Sequence, residues 1–197
     1  MAGGNFMAFN ISRRKTQIWA FWVLFLVLGL CGSAIAQVDP KQAPSTTYYL
    51  GEVKMSSPTG QPYGTSLSLV KRTTSPADGR IIEVVMSLDS KQPAREYTTV
   101  FAVKGSAFTL KDNEGTFEGS GQLTGPAWNW TGWTYTVNML GERKGTLQGD
   151  DSLAGGRISV KKSMYSPDKQ LRVVIAEDLS PISAEAYEIL HSKLAAK

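Results

Sequence analysis

From residue 46 to residue 177 the sequence is a nearly continuous series of short segments in which apolar and polar residues alternate, each ended by a cluster of turn-forming residues. Alternation with period 2 is the pattern of a strand with one buried face. Repeated at this spacing, it restricts the chain to a sandwich or a barrel. The segments are 46–55 with Tyr49, Val53 and Met55 on one face, 65–71 with Leu67 and Leu69, and 81–88 with Ile82, Val84, Met86 and Leu88. Next come 97–104 with Tyr97, Phe101 and Val103, 107–111 with Phe108 and Leu110, and 116–123 with Phe117 and Leu123. The last four are 133–139, 143–148, 157–165 with Ile158, Val160 and Met164, and 170–177 with Leu171, Val173 and Ile175. Turn clusters separate them at 56–62, 73–79, 89–94, 112–115, 150–156 and 166–169. Most connections are of hairpin length, which favours an up-and-down meander closing on itself over a sandwich with long crossovers. The expected fold is an all-β antiparallel barrel of about ten strands.

A different period closes the chain. Ser180 and Pro181 form a cap and first-turn pair ahead of 182–194, where Ile182, Ala186, Ile189, Leu190 and Lys193 recur at helical spacing. One amphipathic helix is expected there, packed on a barrel mouth or on an outer sheet face. Glycines at 119 and 121, both inside a strand pattern, imply a bend or the close approach of another backbone.

The amino terminus reads as an export signal. Arg13, Arg14 and Lys15 precede an uncharged apolar run at 18–30, and Ala34-Ile35-Ala36 is a small-x-small cleavage site ahead of Gln37. The expected organisation is a signal peptide at 1–36, a proline-containing lead-in at 37–45 and one barrel domain with its helix at 46–197. An uncleaved anchor is the competing reading, since extending the run through Ala36 brings it near the ~20 residues of a membrane span. A lipid-modified Cys31 fits less well, because Leu30 precedes it where a small residue is usual.

Removing the signal changes what charge implies. The whole chain has 21 Lys+Arg and 17 Asp+Glu, but the acidic residues all lie at or after Asp39, so losing Arg13, Arg14 and Lys15 leaves 18 against 17. The sequence pI of about 9.1 is then largely the signal's property and points to no nucleic-acid partner. The single cysteine also belongs to the signal, which excludes thiol and disulfide chemistry from the domain and suits a periplasmic or secreted protein held together by burial.

The stretch 126–139, PAWNWTGWTYTVNM, holds three of the five tryptophans, Trp128, Trp130 and Trp133. From Trp133 onward it alternates, with Trp133, Tyr135, Val137 and Met139 on a core face. Trp128 and Trp130 have the opposite parity. A bulge at Gly132 would bring all three rings to one side; without it, two indoles face outward as a platform for polysaccharide or a partner protein.

About ten meandering strands, glycine turns and one helix in a chain of this kind resemble the calycins, the lipocalin-like and fatty-acid-binding-like barrels. The resemblance is architectural and covers nearly the whole domain. The Gly-x-Trp that lipocalins carry near the first strand is absent here, where that strand reads YYLGEVKM. A nitrobindin-like haem barrel would need its histidine on a strand, whereas His191 falls in the helix.

Catalytic candidates are few. His191, alone and on a polar helix face, is expected to be solvent-exposed and cannot supply the nitrogen set of a zinc site. Asp112, Glu114 and Glu118 cluster in one hairpin, and Asp150-Asp151 and Glu177-Asp178 adjoin, but adjacent acids in turns read as solvated groups, and neither a calcium loop nor a glycosidase pair is completed. Asn129-Trp130-Thr131 matches a glycosylation acceptor in an unsuitable strand position, and Gly119-Ser120-Gly121 lacks the helix of a dinucleotide fingerprint. No cofactor, metal or catalytic residue is expected. The expected function is a non-enzymatic barrel binding a small hydrophobic molecule of the lipid or fatty-acid class, lined by Trp128, Trp130, Trp133, Tyr135, Phe101 and Phe117. The alternative is an envelope interaction module using exposed tryptophans. The membrane is a partner only through an uncleaved signal.

Overall fold

A computed structural model of the chain describes residues 43–88, 94–125, 132–140 and 144–195. Its strands are β1 (Ser45–Ser56), β2 (Pro62–Ser75), β3 (Arg80–Leu88), β4 (Arg95–Lys104), β5 (Ala107–Asp112), β6 (Phe117–Leu123), β7 (Trp133–Met139), β8 (Gly145–Ala154), β9 (Arg157–Tyr165) and β10 (Leu171–Ile182), followed by helix α1 (Ala184–Ala195). Each strand pairs antiparallel with its sequence neighbour, and β1 pairs with β10, so the meander closes into a ten-strand barrel. Closure leaves no free sheet edge. Among the described residues, no helix is long and apolar enough to cross a membrane.

Two turns show why the chain reverses where it does. Gly155 and Gly156, at φ 57° and 79°, sit between the paired Ala154 and Arg157. Two successive positive φ values are what a two-residue hairpin with native twist requires, and glycine takes them without strain. Between β5 and β6, Asp112 is buried and accepts hydrogen bonds from the backbone amides of Thr116 (2.9 Å) and Phe117 (3.1 Å), and from the Thr116 hydroxyl. Asp112 is thus a turn-holding group, while Glu114 pairs with Arg95 and Glu118 is exposed. The apparent acidic cluster of that hairpin is three groups with separate surroundings, two in contacts and one exposed.

One end of the barrel is plugged. Ile81, Phe101, Phe108, Leu110, Leu123, Trp133 and Val137 form one buried cluster, and Trp133 is fully enclosed. Its indole meets Phe101 edge-on at 5.6 Å and 86° and Phe108 at 4.4 Å, a geometry that adds to the area each ring buries. Gly121 makes this possible: a Cβ there would lie 2.4 Å from Phe108 Cζ, and at Gly119 one would lie 2.3 Å from the Thr136 carbonyl oxygen. The close approach implied by these glycines is real, one to a ring and one to a backbone. A second cluster, Tyr49, Val70, Val85, Ile158, Val160 and Leu179, continues the packing on the opposite wall.

Helix α1 lies on the outer face of β1–β3, where Tyr187, Leu190 and Leu194 cover Leu69, Met86, Tyr48, Leu50 and Leu88. Four readings are corrected here. The apolar sets of β2 and β3 (Leu67, Leu69; Ile82, Val84, Met86, Leu88) face outward toward or beside the helix, while Ser68, Val70, Arg72, Glu83 and Val85 line the interior. Tyr187 supplies the buried helix residue and Ile189 is 50% exposed. The cap is Ser183, whose Oγ accepts the Ala186 amide at 3.1 Å, because β10 continues through Pro181 to Ile182. His191 is only partly exposed: its Nε2 lies 2.7 Å from Glu96 Oε2 and its ring stacks on Tyr187.

The reading of 150–156 as a loop is also corrected. β8 runs on to Ala154, and only Gly155 and Gly156 turn. The polar run DDSLA alternates, putting Asp151 and Leu153 inward against Asp150 and Ser152 outward.

Candidate functional site: a charged centre in the barrel lumen

Strand geometry alone assembles the site. Facing residues in register point to the same side of the sheet, and the inward positions near mid-barrel carry Arg72 (β2), Glu83 (β3), Tyr97 and Thr99 (β4), Tyr135 (β7), Asp151 (β8), Lys162 (β9) and Glu177 (β10). They border a cavity of about 180 Å³. Its remaining wall includes Phe101, Leu110, Phe117, Val137, Met139 and Leu147. At the plugged end the side chains are buried. At the other end Phe117, Met139 and Leu147 are half-buried, so this is the accessible side among the described residues.

Two ion pairs lie on the lumen wall, each between neighbouring strands. Arg72 pairs with Glu83, its register partner, and Lys162 Nζ lies 2.5 Å from Glu177 Oε1. The Arg72 side chain is only 4% exposed, and its guanidinium lies 5.7 Å from the Tyr49 ring centre. Burial opposes the Lys162 ammonium, but the Glu177 carboxylate, with Tyr135, Tyr97 and Asp151, outweighs it and holds the group well above its ordinary value. Burial pushes the Tyr97 hydroxyl up to about 12 and raises Tyr135 well above 10.

Asp151 is the odd group out. Burial pushes it from 3.8 to about 7, against the pull of Lys162 and Arg72 and with the added push of Glu83 and Glu177. Its carboxyl is hydrogen-bonded with the Tyr135 hydroxyl, and its Oδ1 has no hydrogen-bond partner. A glycine sets this contact up. Gly149 is the register partner of Tyr135, and a Cβ there would stand 2.3 Å from Tyr135 Cζ. The phenol ring therefore lies flat across β8 and brings its hydroxyl to Asp151, two residues further along the same face. Carboxyl groups held near neutrality in a cleft are a physical mark of functional sites.

The six residues expected to line a binding site divide. Phe101, Phe117 and Tyr135 border the cavity. Trp133 sits beneath it in the plug. Trp128 and Trp130 lie outside the described residues. Gly132, at φ 66°, does not interrupt a strand: β7 starts after it, and its carbonyl accepts the Thr124 amide (3.0 Å) and hydroxyl (2.9 Å).

The charged residues escaped a reading that sorted each strand by its apolar members. The signal was present as interruptions in inward sets: Lys162 between Val160 and Met164, Glu177 between Ile175 and Leu179, Glu83 between Ile81 and Val85. Among the described residues no group of three or more His, Cys, Asp or Glu side chains could hold a metal ion. A larger, shallow depression of about 1120 Å³ lies on the outer face, lined by Thr109, Ser120, Gln122, Thr134 and Gln148 among others. With exposed Lys104, Asp150 and Lys161 beside these hydroxyl and amide side chains, it is a solvated sheet face, and the buried titratable groups converge in the lumen instead.

No protein-family model and no curated protein matches the chain. Among solved structures it is similar to the crystal structure of Rv2717c from M. tuberculosis, at 14% identity and a TM-score of 0.53, covering 77% of this chain and 99% of that one. At this identity the likeness shows the fold alone, a closed antiparallel barrel of ten strands.

Proposed function

We propose that the protein is an exported, non-enzymatic barrel that binds a small hydrophobic molecule in its lumen. The observation that carries this reading is the cavity itself, plugged by aromatic packing at one end and bordered at the other by half-buried Phe117, Met139 and Leu147. Two buried ion pairs and a third buried carboxyl are a poor way to stabilise a core, because desolvation consumes most of their attraction and an apolar replacement does as well or better. Their convergence on one cavity supports a role in recognition. At about 180 Å³ the space falls below the ~300 Å³ at which ordinary ligand pockets begin, so the ligand is a short-chain or compact member of the lipid class, its apolar body against Val137, Met139 and Leu147. The export half of the proposal is supported by the basic, apolar and small-residue order of residues 13–36.

A cavity-filling variant tests the reading. Leu147→Trp should abolish displacement of a lumen-bound lipophilic dye by hexan-1-ol while the thermal midpoint stays within a few degrees. Undiminished displacement in that variant places the site elsewhere, and failure of the wild-type protein to bind dye or alcohol ends the proposal.

A further inference from the structure

Resting on the lumen as the ligand site, we propose that the ligand carries a basic nitrogen, seated as an ammonium between Asp151 and the surrounding aromatic rings. Among the described residues the lumen holds two cations, Arg72 and Lys162, and three carboxyl groups, Glu83, Glu177 and Asp151. Each cation already pairs with a carboxylate on the neighbouring strand. The remaining carboxyl, Asp151, is nine-tenths buried, borders the cavity and keeps Oδ1 without a hydrogen-bond partner. A buried charge or polar oxygen in that condition is costly until something donates to it.

The complement is a cation with N–H donors. An ammonium has three and no acceptor, and it meets one at Asp151 Oδ1. Tyr135, Phe101 and Phe117 border the same cavity, and aromatic faces attract cations further. Bound this way, the ligand brings the lumen's three carboxylates and two cations to neutrality. A fatty-acid carboxylate does the reverse. It would enter as a fourth anion beside two cations already matched, so the head group of a simple fatty acid is the one this lumen rejects. A neutral alcohol lies between, able to donate one hydrogen bond to Asp151 without changing the charge.

Calorimetric titration of the purified protein with three six-carbon probes, hexylamine, hexan-1-ol and hexanoate at pH 7.5, separates the possibilities. A charge-assisted contact to a desolvated carboxylate should favour the amine over the alcohol on the order of tenfold or more, with hexanoate weakest. In Asp151→Asn, which keeps the side-chain shape, that preference should fall to about threefold or less. Hexanoate binding tightest, or all three binding alike, overturns the head-group inference and leaves the lumen reading intact. An amine preference that survives in Asp151→Asn removes Asp151 as its seat and overturns the inference too. Absence of binding by all three defeats the lumen reading and this inference with it. The wild-type comparison needs no variant, so a poorly folding Asp151→Asn does not shelter the claim.

Discussion

Replacing Asp151 by Asn should remove a pH dependence that the wild-type fold carries. The carboxyl sits at about 7 in the folded protein against 3.8 when exposed. Between these values the folded state holds a proton that the unfolded chain has released. Stability from this group is therefore complete below pH ~4, falls as pH rises, and levels off above about 7, where both states have released the proton. The rise from 3.8 to about 7 corresponds to roughly 4 kcal/mol. Between pH 5 and pH 9 the integrated loss is about 3 kcal/mol. For a domain of this size that is roughly 5–11 °C in thermal midpoint. Tyr97, at about 12, and Lys162, held well above 10.5, do not titrate in the window, and His191 is common to both proteins, so the difference between them isolates Asp151. Urea unfolding followed by tryptophan fluorescence at unit pH intervals is the assay. Asp151→Asn should gain on the wild type by about 3 kcal/mol across the series. Parallel curves would refute the assignment of a buried, uncompensated carboxyl at position 151.

Three further outcomes follow from the same geometry. Gly149→Ala must push the Tyr135 ring off β8, since the added carbon lands 2.3 Å from Tyr135 Cζ; a loss of about 1–3 kcal/mol in urea unfolding is expected, together with a smaller Asp151-dependent pH slope. Glu83→Gln leaves the Arg72 guanidinium, 4% exposed, without its carboxylate, and should cost about 3–5 kcal/mol, whereas losing the exposed Arg157–Asp178 pair (57% and 56% exposed) through Asp178→Asn should cost under ~1 kcal/mol. Sequencing the amino terminus of the protein recovered from its native host should find Gln37 first; an intact residue 1 favours the anchor reading.

The order of strands, their meander and the terminal helix were legible because each rests on local pattern: period 2, turn clusters, then helical spacing. Plug residues such as Phe101, Phe108, Val137 and Trp133 were legible for the same reason, as members of one alternating face. The face assignment failed in β2 and β3, where Leu69 and Met86 are apolar because α1 covers them from outside, a fact set by residues about a hundred positions away. The charged centre failed for a deeper reason. Arg72, Glu83, Asp151, Lys162 and Glu177 are each an isolated polar residue on its own strand, and only closure of β1 on β10 brings residues 72 to 177 around one cavity. Asp151 was further hidden by its neighbour Asp150, since two adjacent acids beside glycines look like a solvated loop until the ladder to β7 and β9 is seen.

The central claim, that the lumen is where this protein meets its ligand, is tested most directly by methyl NMR of the wild-type protein titrated with hexylamine and hexan-1-ol. Shifts should concentrate on Val137, Met139, Leu147 and Val160, which border the cavity, and leave the exposed Leu67 and Ile189 unmoved. Shifts confined to Leu67, Ile189 or other outer-face methyls, or none at millimolar probe, would contradict it.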